Sequence, residues 1–146
     1  MFKKQRKLFI CFALLVATIG SGNNVSAATI EQNGTSLILI QSVNTASSRV
    51  GLSISNSGTA SLSAGVVGKA GTSKIHMSIK LQKYNNSSKS WKNVKSWDKT
   101  ANSANVLFNT TYKLDSKGTY RCKLSADIWK NGSKESVSIT SDKKKY

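Results

Sequence analysis

The chain has no proline, one histidine, two cysteines and only six acidic residues among 146. These shortages limit the chemistry it can support. A structural zinc site needs four N or S ligands, which this supply of His and Cys does not provide. The acids stand singly, with no D-x-D calcium loop and no glycine-rich phosphate loop, although acids distant in sequence can still meet in space. A Ser-His-Asp arrangement needs an acid that holds the histidine, and His76 has no acidic neighbour along the chain. We therefore expect no catalytic residue, metal or cofactor, and predict a protein that is not an enzyme.

What is present begins with an N-terminal segment, residues 1–27, that has the order of a secretory signal peptide. Four cations precede an apolar run over 8–17, and small residues at Val25-Ser26-Ala27 fit a cleavage site. The alternative is a retained membrane anchor, but a spanning helix needs about 20 apolar residues and this run is shorter. The segment predicts a secreted, extracellular protein starting at Ala28, with cell-wall association as a further hypothesis and no transmembrane segment after cleavage.

The remaining 119 residues are strongly basic. They keep 18 of the 22 Lys and Arg residues against 6 acids, a net charge of about +12. Such a protein is attracted to anionic cell-wall polymers, phospholipid headgroups or nucleic acid. Only Arg49 and Arg121 are arginines, which argues against bidentate reading of phosphates or bases and so against specific nucleic-acid binding. The alternative is that the lysines keep exposed strands from pairing edge to edge.

Short alternating segments separated by Gly, Asn and Ser clusters predict antiparallel strands throughout the mature chain. Each of these strands has apolar residues on one face only. The simplest way to bury so many apolar faces is to pack two sheets against each other. We therefore predict an all-β antiparallel β-sandwich of seven to eight strands over 49–146, after a lead-in at 28–48 that contains at most one strand. The segments are 37–43, 49–55, 59–67, 74–84, 91–99, 105–113, 119–130 and 133–141.

The turn before the predicted strand 119–130 resembles the tyrosine corner of immunoglobulin-like domains. Gly118 precedes Tyr120, and Cys122 follows two residues later. In that family the tyrosine hydroxyl bonds back to nearby backbone. Here the acid, Asp115, lies three residues before the glycine instead of two, and the partner cysteine is missing from 59–67. The resemblance implies an immunoglobulin-like sandwich without its disulfide, with Cys122 buried as a small hydrophobe. The alternative is a thiol that pairs between chains.

The mature chain also resembles a family of small secreted proteins of Gram-positive bacteria (Firmicutes). The resemblance covers 45–146 and is carried by segments 52–55, 71–75, 81–83, 91–97 and 117–121. It implies export and an immunoglobulin-like fold. It supplies no catalytic residue.

One face of the predicted sandwich is a candidate binding surface. In the immunoglobulin fold the strands corresponding to 74–84 and 119–130 lie side by side, so their outward residues should form one basic face with aromatic residues at its ends. Such a face suits an anionic, sugar-containing polymer held by charge and ring stacking; the alternative is an ordinary solvated face. Its residues are Lys74, His76, Lys80, Tyr84, Arg121, Lys123 and Trp129.

Trp91 and Trp97 form a second candidate. Six residues apart, they share one face of an unbroken strand, about 20 Å from each other. On the outside they would form a sugar platform or a partner patch. The alternative is that one or both pack into the core, across a bulge, because indoles contribute much of a small domain's buried area.

These features favour a secreted, non-catalytic binding module for anionic cell-envelope polymers or glycans, expected to be a monomer. One alternative is a secreted cationic antibacterial or toxin-like protein. Another is a protein–protein adhesion or inhibitor module, which would have a protein partner and weak salt dependence.

Overall fold

The computed structural model describes the backbone of residues 26–32 and 35–146, and the side chains from residue 42 onward. The predicted signal peptide lies outside the described residues except for Ser26 and Ala27, which begin the first strand. Every described element is a β-strand. The ten strands are β1 (Ser26–Gln32), β2 (Thr35–Gln41), β3 (Thr45–Ile54), β4 (Thr59–Gly68), β5 (Thr72–Asn85), β6 (Ser90–Ala101), β7 (Asn105–Lys113), β8 (Thr119–Lys130), β9 (Ser133–Thr140) and β10 (Lys144–Lys145).

The strands form two antiparallel sheets, which confirms the predicted sandwich. Sheet one has the order β1-β2-β3-β4-β7. Sheet two has the order β6-β5-β8, with β9 and β10 both paired to β8. In a constant-type immunoglobulin domain the fourth of the seven strands lies in the sheet of the first, second and fifth. Here β6, the fourth of the seven strands β3–β9, instead pairs with β5 along its length. The fourth strand therefore widens the sheet that carries the candidate face.

The core lies between the sheets and follows from the period-two pattern of the strands. On β5 and β8 alternate residues are buried, as the alternation predicts. Sheet one contributes Val50, Leu52, Ala60, Leu62, Ala64, Val66 and Val106. Sheet two contributes Ile75, Met77, Ile79, Leu81, Tyr120, Cys122, Leu124, Ala126, Ile128, Val137 and Ile139. This single core leaves the opposite side chains of β5 and β8 facing outward.

The lead-in contains two strands, where the sequence predicted at most one. β1 and β2 pair along their whole length, from Ser26↔Gln41 to Gln32↔Thr35. The two residues between them in sequence are Asn33 and Gly34, a common pair in two-residue hairpin loops, and this signal was missed. The hairpin joins β3 through only two residue pairs, Leu37↔Arg49 and Ile38↔Ser48. The predicted cleavage after Ala27 falls inside β1.

The tyrosine corner is present. The buried Tyr120 donates a hydrogen bond from its hydroxyl to the Ser116 carbonyl oxygen at 2.5 Å. Gly118 lies inside this turn and exchanges two backbone hydrogen bonds with Tyr146, at 3.0 and 3.1 Å. The shifted position of Asp115 therefore does not prevent the turn, because the bond runs from the tyrosine to backbone.

Cys122 is fully buried opposite Leu81 on β5, and it forms no disulfide within the described residues. Burial raises the pKa of its thiol to about 12. The thiol is therefore protonated at neutral pH and behaves as the small hydrophobe that the sequence predicts.

Candidate functional site: the outer face of sheet two

The predicted basic face is formed by β5 and β8, which are hydrogen-bonded neighbours in the centre of sheet two. Four of their residue pairs contain predicted site residues: Lys74↔Trp129, His76↔Asp127, Lys80↔Lys123 and Gln82↔Arg121. Side chains of paired residues lie on the same side of a sheet. The expected juxtaposition of the two strands is therefore confirmed, and it brings the predicted residues onto one surface.

The centre of the face carries an uncompensated positive charge. Lys80 and Lys123 are directly opposite each other, and neither has a hydrogen bond or an ion pair with a described residue. Their outer neighbours are neutral, because Lys80 also faces Ser96 on β6 and Lys123 faces Thr140 on β9. Like charges directly opposite each other in a sheet are destabilising. This pair is therefore a place where an anion would be favoured.

Arg121 lies two residues before Lys123 on β8, and its guanidinium is held in a fixed position. Its Nε donates a hydrogen bond to Gln82 Oε1 at 2.9 Å, and Gln82 Nε2 donates to Asn93 Oδ1 at 2.8 Å. The guanidinium carbon lies 4.1 Å from the centroid of the Trp91 ring. Tyr84 packs on the same indole, with ring centroids 5.2 Å apart. Burial lowers the pKa of Arg121 from its ordinary value, but arginine remains protonated at neutral pH.

The opposite end of the face mixes both signs of charge. The ammonium groups of Lys74 and Lys134 lie 4.7 and 6.0 Å from the centroid of Trp129. Asp127 accepts hydrogen bonds from Ser136 Oγ at 2.5 Å and from Lys134 Nζ at 3.4 Å. The pKa of Asp127 is lowered, mainly by the Ser136 hydrogen bond, so it carries its charge at neutral pH. At this end of the face, Asp127 therefore forms an ion pair with Lys134.

His76 has acidic neighbours on the two adjacent strands, although its own strand carries no acid. Its Nε2 lies 3.7 Å from Asp98 Oδ1 on β6, its Nδ1 bonds to Thr100 Oγ1 at 2.9 Å, and Asp127 is its partner on β8. These residues come from strands paired on either side of β5, so only the sheet register brings them together. Asp98 is exposed and His76 is only partly buried, so the group lies open to solvent on the outer face of sheet two, unlike a buried catalytic triad.

The predicted platform of Trp91 and Trp97 is wrong, because a bulge in β6 separates them. The register changes from Leu81↔Lys95 to Gln82↔Asn93, which leaves Val94 as one extra residue. One extra residue reverses the faces of everything beyond it. Trp91 therefore lies on the outer face beside Tyr84, while Trp97 packs inward. The alternative of core packing across a bulge is confirmed for Trp97.

Trp97 connects the two sheets. Its ring centroid lies 5.9 Å from that of Phe108 and 6.2 Å from that of Tyr112, both on β7 of sheet one. It belongs to the packing of the sandwich and not to the candidate face. Lys80, Lys123 and Arg121 are therefore outward-facing cations that form no ion pair with a described residue, and Tyr84 and Trp91 lie beside Arg121.

No protein-family model, curated protein or solved structure matches this chain. In the part of the chain that the structure describes, no three His, Cys, Asp or Glu side chains come close enough to hold a metal ion. The described residues also include no helix of the length and apolarity that crossing a membrane requires. The interpretation of the face therefore depends on its own geometry and charge.

Proposed function

We propose that this protein is an exported, non-catalytic module that binds anionic polymers or glycans of the cell envelope on the outer face of sheet two. Export is supported by the charge, apolar run and small residues of 1–27. Binding is supported by the uncompensated cations of Lys80, Lys123 and Arg121. The resemblance to exported proteins of Gram-positive bacteria makes their cell walls the first ligand to test.

The observation that carries this proposal is the pairing of Lys80 with Lys123 on the two central strands. Exposed lysines on edge strands have a simple role in preventing aggregation. That role does not apply to β5 and β8, which have neighbours on both sides. A like-charged pair there costs roughly 0.2–1 kcal/mol of stability. An anion lying between the two ammonium groups offsets that cost.

The rest of the charge distribution supports the same ligand class. Because the predicted mature chain has 18 cations and only six acids, its net charge is about +12. This charge attracts a polyanion from a distance before it contacts the face. At the face, Lys80, Lys123 and Arg121 form no ion pair with an acidic side chain among the described residues. Attraction between exposed charges is screened over about 8 Å at physiological ionic strength, so binding of this kind weakens as salt rises.

The test is a pull-down of the purified protein on isolated Gram-positive cell walls at low and high salt. Walls stripped of their anionic polymers serve as the ligand control. The double variant Lys80→Gln/Lys123→Gln removes the central pair, and Lys89→Gln/Lys117→Gln removes the same charge from exposed loops. We expect the wild type and the loop variant to bind intact walls at low salt, and the central variant to lose binding.

Equal binding by the central and loop variants, or undiminished binding to stripped walls, would overturn the proposal. Retention that is indifferent to salt would instead support the adhesion or inhibitor alternative. Colony counts from the same incubations separate the antibacterial alternative, because killing at low salt contradicts a module that only binds.

A further inference from the structure

Arg121 differs from Lys80 and Lys123, its neighbours on the face, because contacts with other side chains hold its side chain in place. Its Nε is occupied by Gln82, and its planar guanidinium lies on the indole of Trp91. Gln82 is in turn held by Asn93 and is only 8% exposed. The terminal Nη groups have no hydrogen bond or ion pair with a described residue. A fixed guanidinium thus leaves its terminal donors open to a ligand.

A guanidinium arranged in this way differs chemically from an ammonium group. Its N–H donors form a rigid fork that fits two oxygens of a carboxylate or a phosphate, whereas lysine acts as a compact point charge. Ordering a long side chain at an interface normally costs affinity. Here Gln82 and Trp91 have already ordered it before any ligand arrives. Lys123 lies two residues further along β8, about 7 Å away, and provides the neighbouring charge.

We propose that Arg121 is a preformed fork that binds one carboxylate or phosphate group of the polymer through two parallel hydrogen bonds. The face then distinguishes ligands by the geometry of the oxyanion as well as by charge. Gln82, Asn93 and Trp91 act as positioning residues, because they hold the fork. This inference rests on the proposed function and adds to it the chemical group that is recognised.

A bidentate role for Arg121 differs from what the arginine content of the sequence predicts. The small number of arginines argues against bidentate recognition in general. The fold, however, places one of the two mature arginines beside the lysine pair, while Arg49 lies on sheet one, paired with Gly65 of β4. One fixed guanidinium is enough to recognise one group of a repeating polymer.

The experiment titrates inorganic polyphosphate and poly-L-glutamate into the purified protein over a series of salt concentrations. Arg121→Lys keeps the charge and removes the fork, and Arg49→Lys is the matched control on the other sheet. We expect Arg121→Lys to bind at least one polymer about tenfold more weakly, with an unchanged dependence on salt. Arg49→Lys should match the wild type. The polymer that loses affinity identifies the group as phosphate or carboxylate.

Lys123→Gln separates this inference from the proposed function. It should reduce the steepness of the salt dependence by about one counterion, because it removes a charge contact. Trp91→Ala, which leaves the charge intact but releases the guanidinium, should reproduce part of the affinity loss of Arg121→Lys. Unfolding midpoints measured by circular dichroism show that each variant is folded.

Suppose that Arg121→Lys binds both polymers as tightly as the wild type, while Lys123→Gln binds them more weakly. This result would overturn the fork and leave the polyanion face intact. A wild-type protein that binds neither polymer at low salt would overturn the proposed function itself.

Discussion

Lys80 and Lys123 face each other across the two central strands of sheet two, and neither forms an ion pair with a described residue. The pair is expected to lower the stability of the free protein. An anion that binds this pair only in the native state would add to the stability of the protein.

Lys123→Gln should therefore raise the free energy of unfolding by about 0.5 kcal/mol at low salt, because it relieves a cross-strand like-charge pair. The gain should shrink at high salt, where the repulsion is screened. Urea denaturation at the two salt concentrations measures it. Lys117→Gln, in the exposed turn before β8, is the control. Equal gains from both substitutions would assign the effect to net charge and not to the pair.

The two tryptophans of β6 should respond differently to truncation. Trp97 packs between the sheets, so Trp97→Ala should lower the free energy of unfolding by about 3 kcal/mol. Trp91 lies on the outer face, so Trp91→Ala should cost about 1 kcal/mol or less. Chemical denaturation of both variants gives the comparison. Similar losses would show that the bulge at Val94 does not place the two indoles on opposite faces.

Glu135 holds the segment that enters β3. Its carboxylate accepts hydrogen bonds from Ser42 Oγ at 2.7 Å, from the backbone amides of Val43 and Asn44 at 2.9 and 2.8 Å, and from Thr45 Oγ1 at 3.0 Å. Burial alone raises the pKa of Glu135, but these four bonds outweigh it, and the pKa lies below its ordinary value.

A carboxylate with a lowered folded-state pKa contributes stability that is present above its unfolded pKa and is lost as the pH falls through the folded value. The ordinary value is 4.5, so this contribution should disappear as the pH falls below that point. Glu135→Gln should therefore be less stable than the wild type at pH 6, and the difference should narrow by pH 3. The pKa of Asp127 is lowered as well, so Asp127→Asn measures the part of the pH-dependent stability that this residue contributes. A difference that is constant with pH would contradict the assignment to ionisation.

The C-terminal Tyr146 packs on the turn between β3 and β4. A Cβ placed on Gly58 would collide with the Tyr146 ring, and Gly58 also has a φ of +79°, which favours glycine. Gly132 has nearly the same φ, +78°, but a Cβ there meets no atom within 4 Å. Gly132→Ala therefore isolates the backbone cost, about 1 kcal/mol. Gly58→Ala should cost more, by the strain or displacement of Tyr146. Thermal unfolding of the two variants compares them, and equal losses would mean that the ring contact contributes nothing.

Much of the fold follows from local patterns. The alternation over β5 and β8 predicts which residues are buried, because successive side chains of a strand point to opposite faces. The Gly118-x-Tyr120 spacing predicts the corner, because that bond is made within four residues. The Asn33-Gly34 pair indicated a hairpin as well, although the prediction of the lead-in left it out.

Other features depend on neighbours distant in sequence. The acids beside His76 come from β6 and β8, and the pairing of Lys80 with Lys123 depends on the register of two strands about 40 residues apart. The bulge at Val94 has no Gly or charge signature in the sequence that separates it from a regular strand, yet it decides which tryptophan is available.

The sequence by itself determined the β-sandwich class, the burial of Cys122 and the excess of positive charge in the chain, because these follow from periodicity, composition and short-range bonds. Only the tertiary structure decided which cations remain uncompensated and that Arg121 is held by Gln82 and Trp91. Those relationships arise from cross-strand register, and a shift of one residue in register would place each of these side chains on the other face.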